Sequence, residues 1–143
     1  MAKTVISNQN ERVAAFIAQA NGIRQMPPCT TLGLLEEDTL LAGVAYTDYT
    51  KCNLFLHVAA VPGARWMTRR FLHVVFHYPF VFLGCNRITA SVEESNERAR
   101  KFDEHLGFTL EAKLQGAARD GGDIFLYKMT KYDCRFLGDK YAL

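Results

Sequence analysis

Several things are scarce in this 143-residue chain, and each scarcity removes a class of protein. It holds no run of about 18 apolar residues able to span a bilayer, and Met1 to Asn10 lacks the apolar core of a signal peptide. The expected location is therefore the cytoplasm, with no membrane partner. The most apolar stretch, Phe71 to Leu83, is broken by His73, His77 and Pro79, and its residues suit a buried helix and the turn after it. Net charge is small too. A formal net charge of +2 is too small to argue for nucleic acid, and the one local basic cluster is Arg65, Arg69 and Arg70. The cysteines Cys29, Cys52, Cys85 and Cys134 stand singly, without the close spacing of zinc ribbons or redox motifs, and are expected as reduced thiols. Repeats, linkers and low-complexity segments are missing as well, so residues 1–143 are expected to form one domain.

What is present is a globular composition, 49% hydrophobic and 22% charged, in a chain long enough to bury about 68 to 70% of its unfolded surface. The clearest segment is Ser95 to Phe108. Ser95 can cap a helix start, and Ala99, Phe102 and Leu106 recur at helical steps, with Glu97, Arg98, Arg100, Lys101, Asp103 and Glu104 on the remaining faces. Gly107 follows the last apolar position, where a left-handed residue stops a helix, and Phe108 opens a strand-like run to Ala117. Upstream, Val13, Phe16, Ile17 and Ala20 share one face of a helix between Asn8 and Gly22. A hairpin follows Pro27-Pro28: Thr30 to Leu35, a turn at Glu36-Glu37-Asp38, then Thr39 to Tyr46. Asn53 to Val61 has no charge and reads as a central strand. Met67 to Tyr78 reads as a helix that Pro79 ends, and Arg87 to Val92 as a short strand. Asp123 to Met129 completes a hairpin with the Phe108 run across Arg119-Asp120-Gly121-Gly122, whose paired glycines suit a tight turn. The tail from Thr130 to Leu143 has no assignment.

The run Asn96, Ala99, Leu106, Gly107, Phe108 resembles the fourth helix and sixth strand of the GNAT superfamily of N-acetyltransferases, and the order of elements from about residue 30 to 135 follows that family. The family's first strand is missing or hidden near Lys3 to Ile6. The resemblance implies an α/β (α+β) fold: a mixed, mostly antiparallel sheet of about six strands, helices on both faces, and a splayed central parallel pair. It implies transfer of an acetyl group from acetyl-coenzyme A to a primary amine of a protein or small molecule by direct attack. The stretch from Tyr127-x-Met129 to Cys134-Arg-Phe-Leu also looks like small GNAT-like proteins of tailed phages. A catalytically inactive interaction or virion-associated module is the alternative, and a homodimer or virion assembly stays open.

By the same resemblance, Asn53 to Val61 and Arg87 to Val92 are the parted strands that hold the pantetheine arm. The pyrophosphate lies on the following loop and helix start, here Ala60, Val61, Gly63, Ala64, Arg65, Trp66, Met67, Thr68 and Arg69, and Asn96 faces the cofactor. The loop departs from the family pattern, with one glycine preceded by proline and followed by bulky Trp66. An ordinary turn beside a solvated arginine face, and an Asn96 that only caps its helix, are the plain readings of the same residues. His57 is the candidate general base, and Tyr46, Asp48 and Tyr49 are candidates for the acceptor side. His73 and His77 have the i, i+4 spacing of metal ligands without a third partner, so packing is expected and no metal. Where many family members place a Tyr that protonates the departing thiolate, this chain has Asp103. An ordinary carboxylate is ionised at neutral pH and cannot donate; burial can raise it, another group can donate, or the thiolate can leave unassisted. Asp103 is expected to be an exposed residue of a charged helix face rather than catalytic.

Overall fold

A computed structural model of the chain describes residues 2–138. Its elements run β1 (Lys3–Ile6), α1 (Asn10–Ala20), β2 (Thr30–Glu36), β3 (Thr39–Thr47), β4 (Phe55–Ala60), α2 (Arg69–His77), β5 (Arg87–Glu93), α3 (Glu97–Leu106), β6 (Thr109–Leu114) and β7 (Ile124–Thr130). The strands form one seven-stranded sheet in the order β1-β2-β3-β4-β5-β7-β6. The strand left open near Lys3 is there, paired antiparallel to β2, so the sheet has one strand more than the six expected.

Each contact in the sheet is antiparallel except β4 with β5, which run parallel and share a single register pair, Phe55 opposite Thr89. Their hydrogen bonds gather at the strand starts. Thr89 N donates to Leu54 O at 2.9 Å, and Asn86 N and Arg87 N donate to Cys52 O at 2.9 and 3.2 Å. Beyond Phe55 and Thr89 the two strands part, which leaves backbone groups on both without a ladder partner in the middle of a sheet.

Alternation along the strands sorts the core into two layers. Leu56, Ala90 and Val92 point to the face covered by α2 and α3, where Phe71, Phe76, Phe80, Leu106 and Phe108 are buried with them. Ala45 and Ala59 point to the other face and pack with Val13 and Ile17 of α1. Helix α1 can lie close because Gly33 and Gly43 are paired beneath it; a Cβ on Gly43 would come within 2.8 Å of Val13 Cγ1.

Two segments differ from the sequence expectation. Pro79 does not end the second helix; the chain continues through a π-helical turn, Tyr78–Phe82, in which Leu83 N donates to Tyr78 O at 2.9 Å. Proline sits near the start of that turn, where its missing N–H leaves no bond unmade. The β6–β7 connection is a longer loop, 115–123, and not a two-glycine turn. Gly116 and Gly121 carry the positive φ values, Gly116 N is held by the Asp123 carboxyl at 3.1 Å, and Ala118 is buried. The unassigned tail has a packing role up to residue 138. A 3-10 turn at Lys131–Asp133 leads to Phe136, which stacks on Phe76 with ring centroids 5.0 Å apart, and Arg135 donates to Leu106 O and His105 O at the end of α3. Residues 139–143 of that tail lie outside the described residues.

Candidate active site

The parting of β4 and β5 opens a cavity of about 440 Å³ that reaches both faces of the sheet. On the α3 side it is lined by Leu56, Val58, Ala90, Asn96, Phe102 and Asp103. On the α1 side its walls include His57, Ser91 and Glu93 of the same strands, with Asn21, Met26 and Pro27 from the chain after α1. A hollow of about 670 Å³ alongside α1 shares Ile23, Met26 and Pro27 with it.

His57 faces the α1 side, as does Thr47 in the neighbouring strand, and Thr47 Oγ1 lies 2.8 Å from His57 Nε2. Burial lowers the His57 pKa, partly offset by the nearby Asp48 carboxylate, so the ring is neutral at pH 7. When Nε2 donates to Thr47, Nδ1 carries the free lone pair. The mouth on this side is held by a group that sequence reasoning missed. Arg119, in the β6–β7 loop, donates through Nε to Glu93 Oε1 at 2.8 Å and through its terminal nitrogens to Gly22 O and Asn21 O at 3.2 Å each. It ties the end of α1 to β5 across the cavity. A contact spanning 97 residues leaves no local signal.

The α3 side overturns the expectation for Asp103. It is not on the charged face. Only 7% of the residue is exposed, it lines the cavity, and its carboxyl makes no hydrogen bond or ion pair among the described residues. Burial, helped by the neighbouring Glu104 carboxylate, raises its pKa to about 7. Glu104 itself accepts a hydrogen bond from Tyr127 Oη at 2.8 Å. A signal for this was in the sequence: Ala99, Phe102, Asp103 and Leu106 fall at i, i+3, i+4 and i+7, which places Asp103 inside the apolar stripe.

The other candidates divide. Asn96 lines the cavity and also caps α3, its Oδ1 accepting from Ala99 N at 3.2 Å, so the cap is Asn96 and not Ser95. Ala60, Val61, Gly63, Ala64, Arg65, Trp66, Met67, Thr68 and Arg69 follow the parted end of β4 but do not line the cavity. Gly63 has φ +80° and open space where a Cβ would sit, so it serves the turn. The helix starts at Arg69, two residues later than Met67, because Thr68 caps it by accepting from Phe71 N at 3.1 Å. Arg65, Arg69 and Arg70 are exposed around that helix start and have no ion pair among the described residues. Trp66 does not plug the slot; it is buried against Phe71 and backs Phe102, ring centroids 5.1 Å apart. Tyr46 does not line the cavity. It is buried under α2, with its hydroxyl donating to Val75 O at 2.7 Å, and Tyr49 donates to Leu83 O at 3.2 Å. His73 Nδ1 donates to Phe136 O at 3.0 Å, an anchor for the tail, and no metal-binding cluster occurs among the described residues.

A sheet parted at a central parallel pair, with helices on both faces and an opening through it, is a fold this chain shares with solved acetyltransferase structures. The chain is similar over 96% of its length to a variant of the spermidine N-acetyltransferase SpeG from Vibrio cholerae, with 98% of that chain covered, TM-score 0.71 and 14% identity. It is similar in the same way to Ard1 from Thermoplasma volcanium (TM-score 0.68, 14% identity, 91% of this chain and 98% of that one) and to a probable acetyltransferase (TM-score 0.69, 14% identity, 91% and 93%). At that identity the likeness is one of fold, and it lends no support to a phage origin. No protein-family model and no curated protein matches the sequence.

Proposed function

We propose that this protein is an N-acetyltransferase that passes an acetyl group from acetyl-coenzyme A to a primary amine of a protein or small molecule. The observation that carries the reading is the through-sheet cavity, with a titratable side chain on each face, in a fold shared with acetyltransferases. The residues fit such a co-substrate. Unpaired backbone groups on the parted strands suit an extended amide-bearing arm, and the start of α2, with its dipole and Arg65, Arg69 and Arg70 nearby, suits a diphosphate. Asn96 reaches the same cavity. Acetyl-coenzyme A supplies the acetyl group as an activated thioester.

The amine enters from the α1 side, between His57 and the Met26-Pro27 wall. It arrives protonated at neutral pH and has to shed a proton to become a nucleophile. His57, kept neutral by burial, accepts that proton, while Thr47 fixes the ring. Holding the amine and the thioester in one narrow opening supplies most of the acceleration through proximity. The open, lined cavity favours this reading over a module that has lost its site.

Thermal unfolding with and without acetyl-coenzyme A tests the binding half. At about 100 times its dissociation constant the ligand adds roughly 2.7 kcal/mol, a shift of several degrees for a domain of this size. Mass spectrometry of amine acceptors incubated with the protein and acetyl-coenzyme A tests the transfer half. No thermal shift together with no acetylated product would sink the proposal.

A further inference from the structure

We propose that the groove beside α1 seats the backbone of a polypeptide, so that the acceptor amine is that of a Lys side chain reaching past the groove wall to His57. The inference rests on the acetyltransferase reading above and names its acceptor. Its starting point is a second hollow that joins the first. The groove of about 670 Å³ between α1 and the segment after it shares Ile23, Met26 and Pro27 with the acceptor side of the through-sheet cavity. The two hollows therefore meet at an apolar divide, and that divide decides which part of an acceptor can cross. Lys carries its ammonium on a flexible four-carbon stem that passes apolar side chains without loss. A chain N-terminus would have to bring peptide groups over the same side chains and leave them without hydrogen bonds.

The groove is built for peptide groups rather than for charge. Ala14, Ala15 and Ala18 keep its α1 side low, with nothing larger than a methyl at each step. Asn10, Gln19 and Gln25 line it with carboxamides, which both donate and accept. The Asn10 carboxamide is oriented, its Oδ1 accepting from Thr31 N at 3.0 Å and Thr31 Oγ1 at 2.8 Å, which leaves its N–H groups to donate. The opposite wall is bare backbone. The chain from Ile23 to Cys29 is in neither helix nor strand; Ile23 N donates to Ala18 O at 3.0 Å, but residues 24–28 make no backbone–backbone hydrogen bond among the described residues. Pro27 and Pro28 stiffen this segment, and its carbonyls can pair with an extended chain laid alongside. Charge argues against a polyamine acceptor. A polycation calls for several carboxylates, whereas Glu11 is the one carboxylate lining the groove and is offset by Arg24, and Glu93 at the cavity mouth is paired with Arg119.

The transfer balances on a Lys side chain. Its ammonium loses one proton to His57, and the nitrogen forms a bond to the thioester carbonyl carbon. The C–S bond breaks with its electron pair on sulfur, and the second nitrogen proton passes to the thiolate. The products are an acetyl-lysine amide, the coenzyme A thiol and one proton, which His57 returns to water.

The test gives the protein acetyl-coenzyme A and four acceptors in parallel. They are a pool of short peptides with one central Lys, randomised neighbours and both ends blocked; a Lys-free pool with free N-termini; butylamine, which mimics the Lys stem alone; and spermidine. The Lys pool is expected to exceed each of the others by about 10²-fold or more in kcat/KM, because only it fills the groove. Ala15→Trp fills the groove from an exposed position on α1. It is expected to lower kcat/KM for the Lys pool about tenfold or more, with butylamine within about twofold of wild type and the acetyl-coenzyme A thermal shift unchanged. Gln25→Ala, which adds no bulk, should lower kcat/KM for the Lys pool several-fold in the same selective way. A preference for free N-termini, butylamine or spermidine, or an Ala15→Trp variant with unchanged kcat/KM for the Lys pool, overturns the proposal and leaves the acetyltransferase reading standing. A wild-type protein that acetylates none of the four overturns the proposal, and one that also shows no thermal shift with acetyl-coenzyme A overturns the acetyltransferase reading with it.

Discussion

A carboxyl buried without a partner weighs against folding whenever it is ionised, which makes Asp103 measurable through stability alone. Its pKa rises from 3.8 in the unfolded chain to about 7 in the fold, so the folded state binds the extra proton between those values. The stability this confers is complete below about pH 4 and is lost as pH climbs through about 7, a difference of at most about 4 kcal/mol. His57 works in the opposite direction: its lowered pKa makes the fold lose stability as pH falls below about 6.5. Asp103→Asn is therefore expected to gain nothing over wild type at pH 4 and to gain most above pH 7. Denaturant titrations at pH 4 and 8 check this, and equal stability differences at the two values would show that Asp103 is solvated. The residue was legible in part. Its place in the stripe could be read from the spacing, but the acidic and basic residues on either side, Lys101 and Glu104, made a charged face the simpler reading. Spacing sets direction; it does not say whether a cavity or solvent lies there.

At the scale of elements, α3 shows how one residue can serve both the fold and the site. Asn96 caps the helix and lines the cavity, so removing its side chain mixes two effects. Asn96→Ala should cost about 1 kcal/mol and also weaken acetyl-coenzyme A binding, whereas Asn96→Ser restores a cap and should recover stability without recovering affinity. If Asn96→Ser recovers both, Asn96 is a cap and nothing more. The end of α3 was fully legible: Gly107 takes φ +110°, as a glycine after the last apolar position should. The end of α1 was not. Asn21 and Gly22 announced a stop, but the fastening of their carbonyls by Arg119 depends on where the β6–β7 loop lands. Because Arg119 is largely exposed, Arg119→Ala should lower stability by about 1 kcal/mol or less. It should raise KM for the amine several-fold and leave the acetyl-coenzyme A thermal shift intact, since it frees only the acceptor-side wall. An unchanged KM would separate the clamp from acceptor binding.

For the whole molecule, the proposed division of labour between the two faces rests on a topological fact, that the one parallel pair among the described strands keeps its ladder at a single register pair. The element order was readable in the sequence through hydrophobic periodicity and turn residues, and the parted central pair only through what the family resemblance implies. The two-sided character of the opening was not, because it depends on which residues of β4 and β5 alternate inward and on what covers each face. Ala90 and Ala99 border the side under α3, whereas Ser91 borders the side under α1, although Ala90 and Ser91 are neighbours in sequence. Bulk introduced on one face should then act on one ligand. Ala99→Trp is expected to remove the acetyl-coenzyme A thermal shift and activity together. Ser91→Trp is expected to preserve the thermal shift and to abolish transfer to the amine, leaving at most slow hydrolysis of the thioester. Measuring the thermal shift and product formation for both variants decides the matter: if both lose acetyl-coenzyme A binding, the cavity is a single compartment, and the assignment of one substrate to each face of the sheet fails.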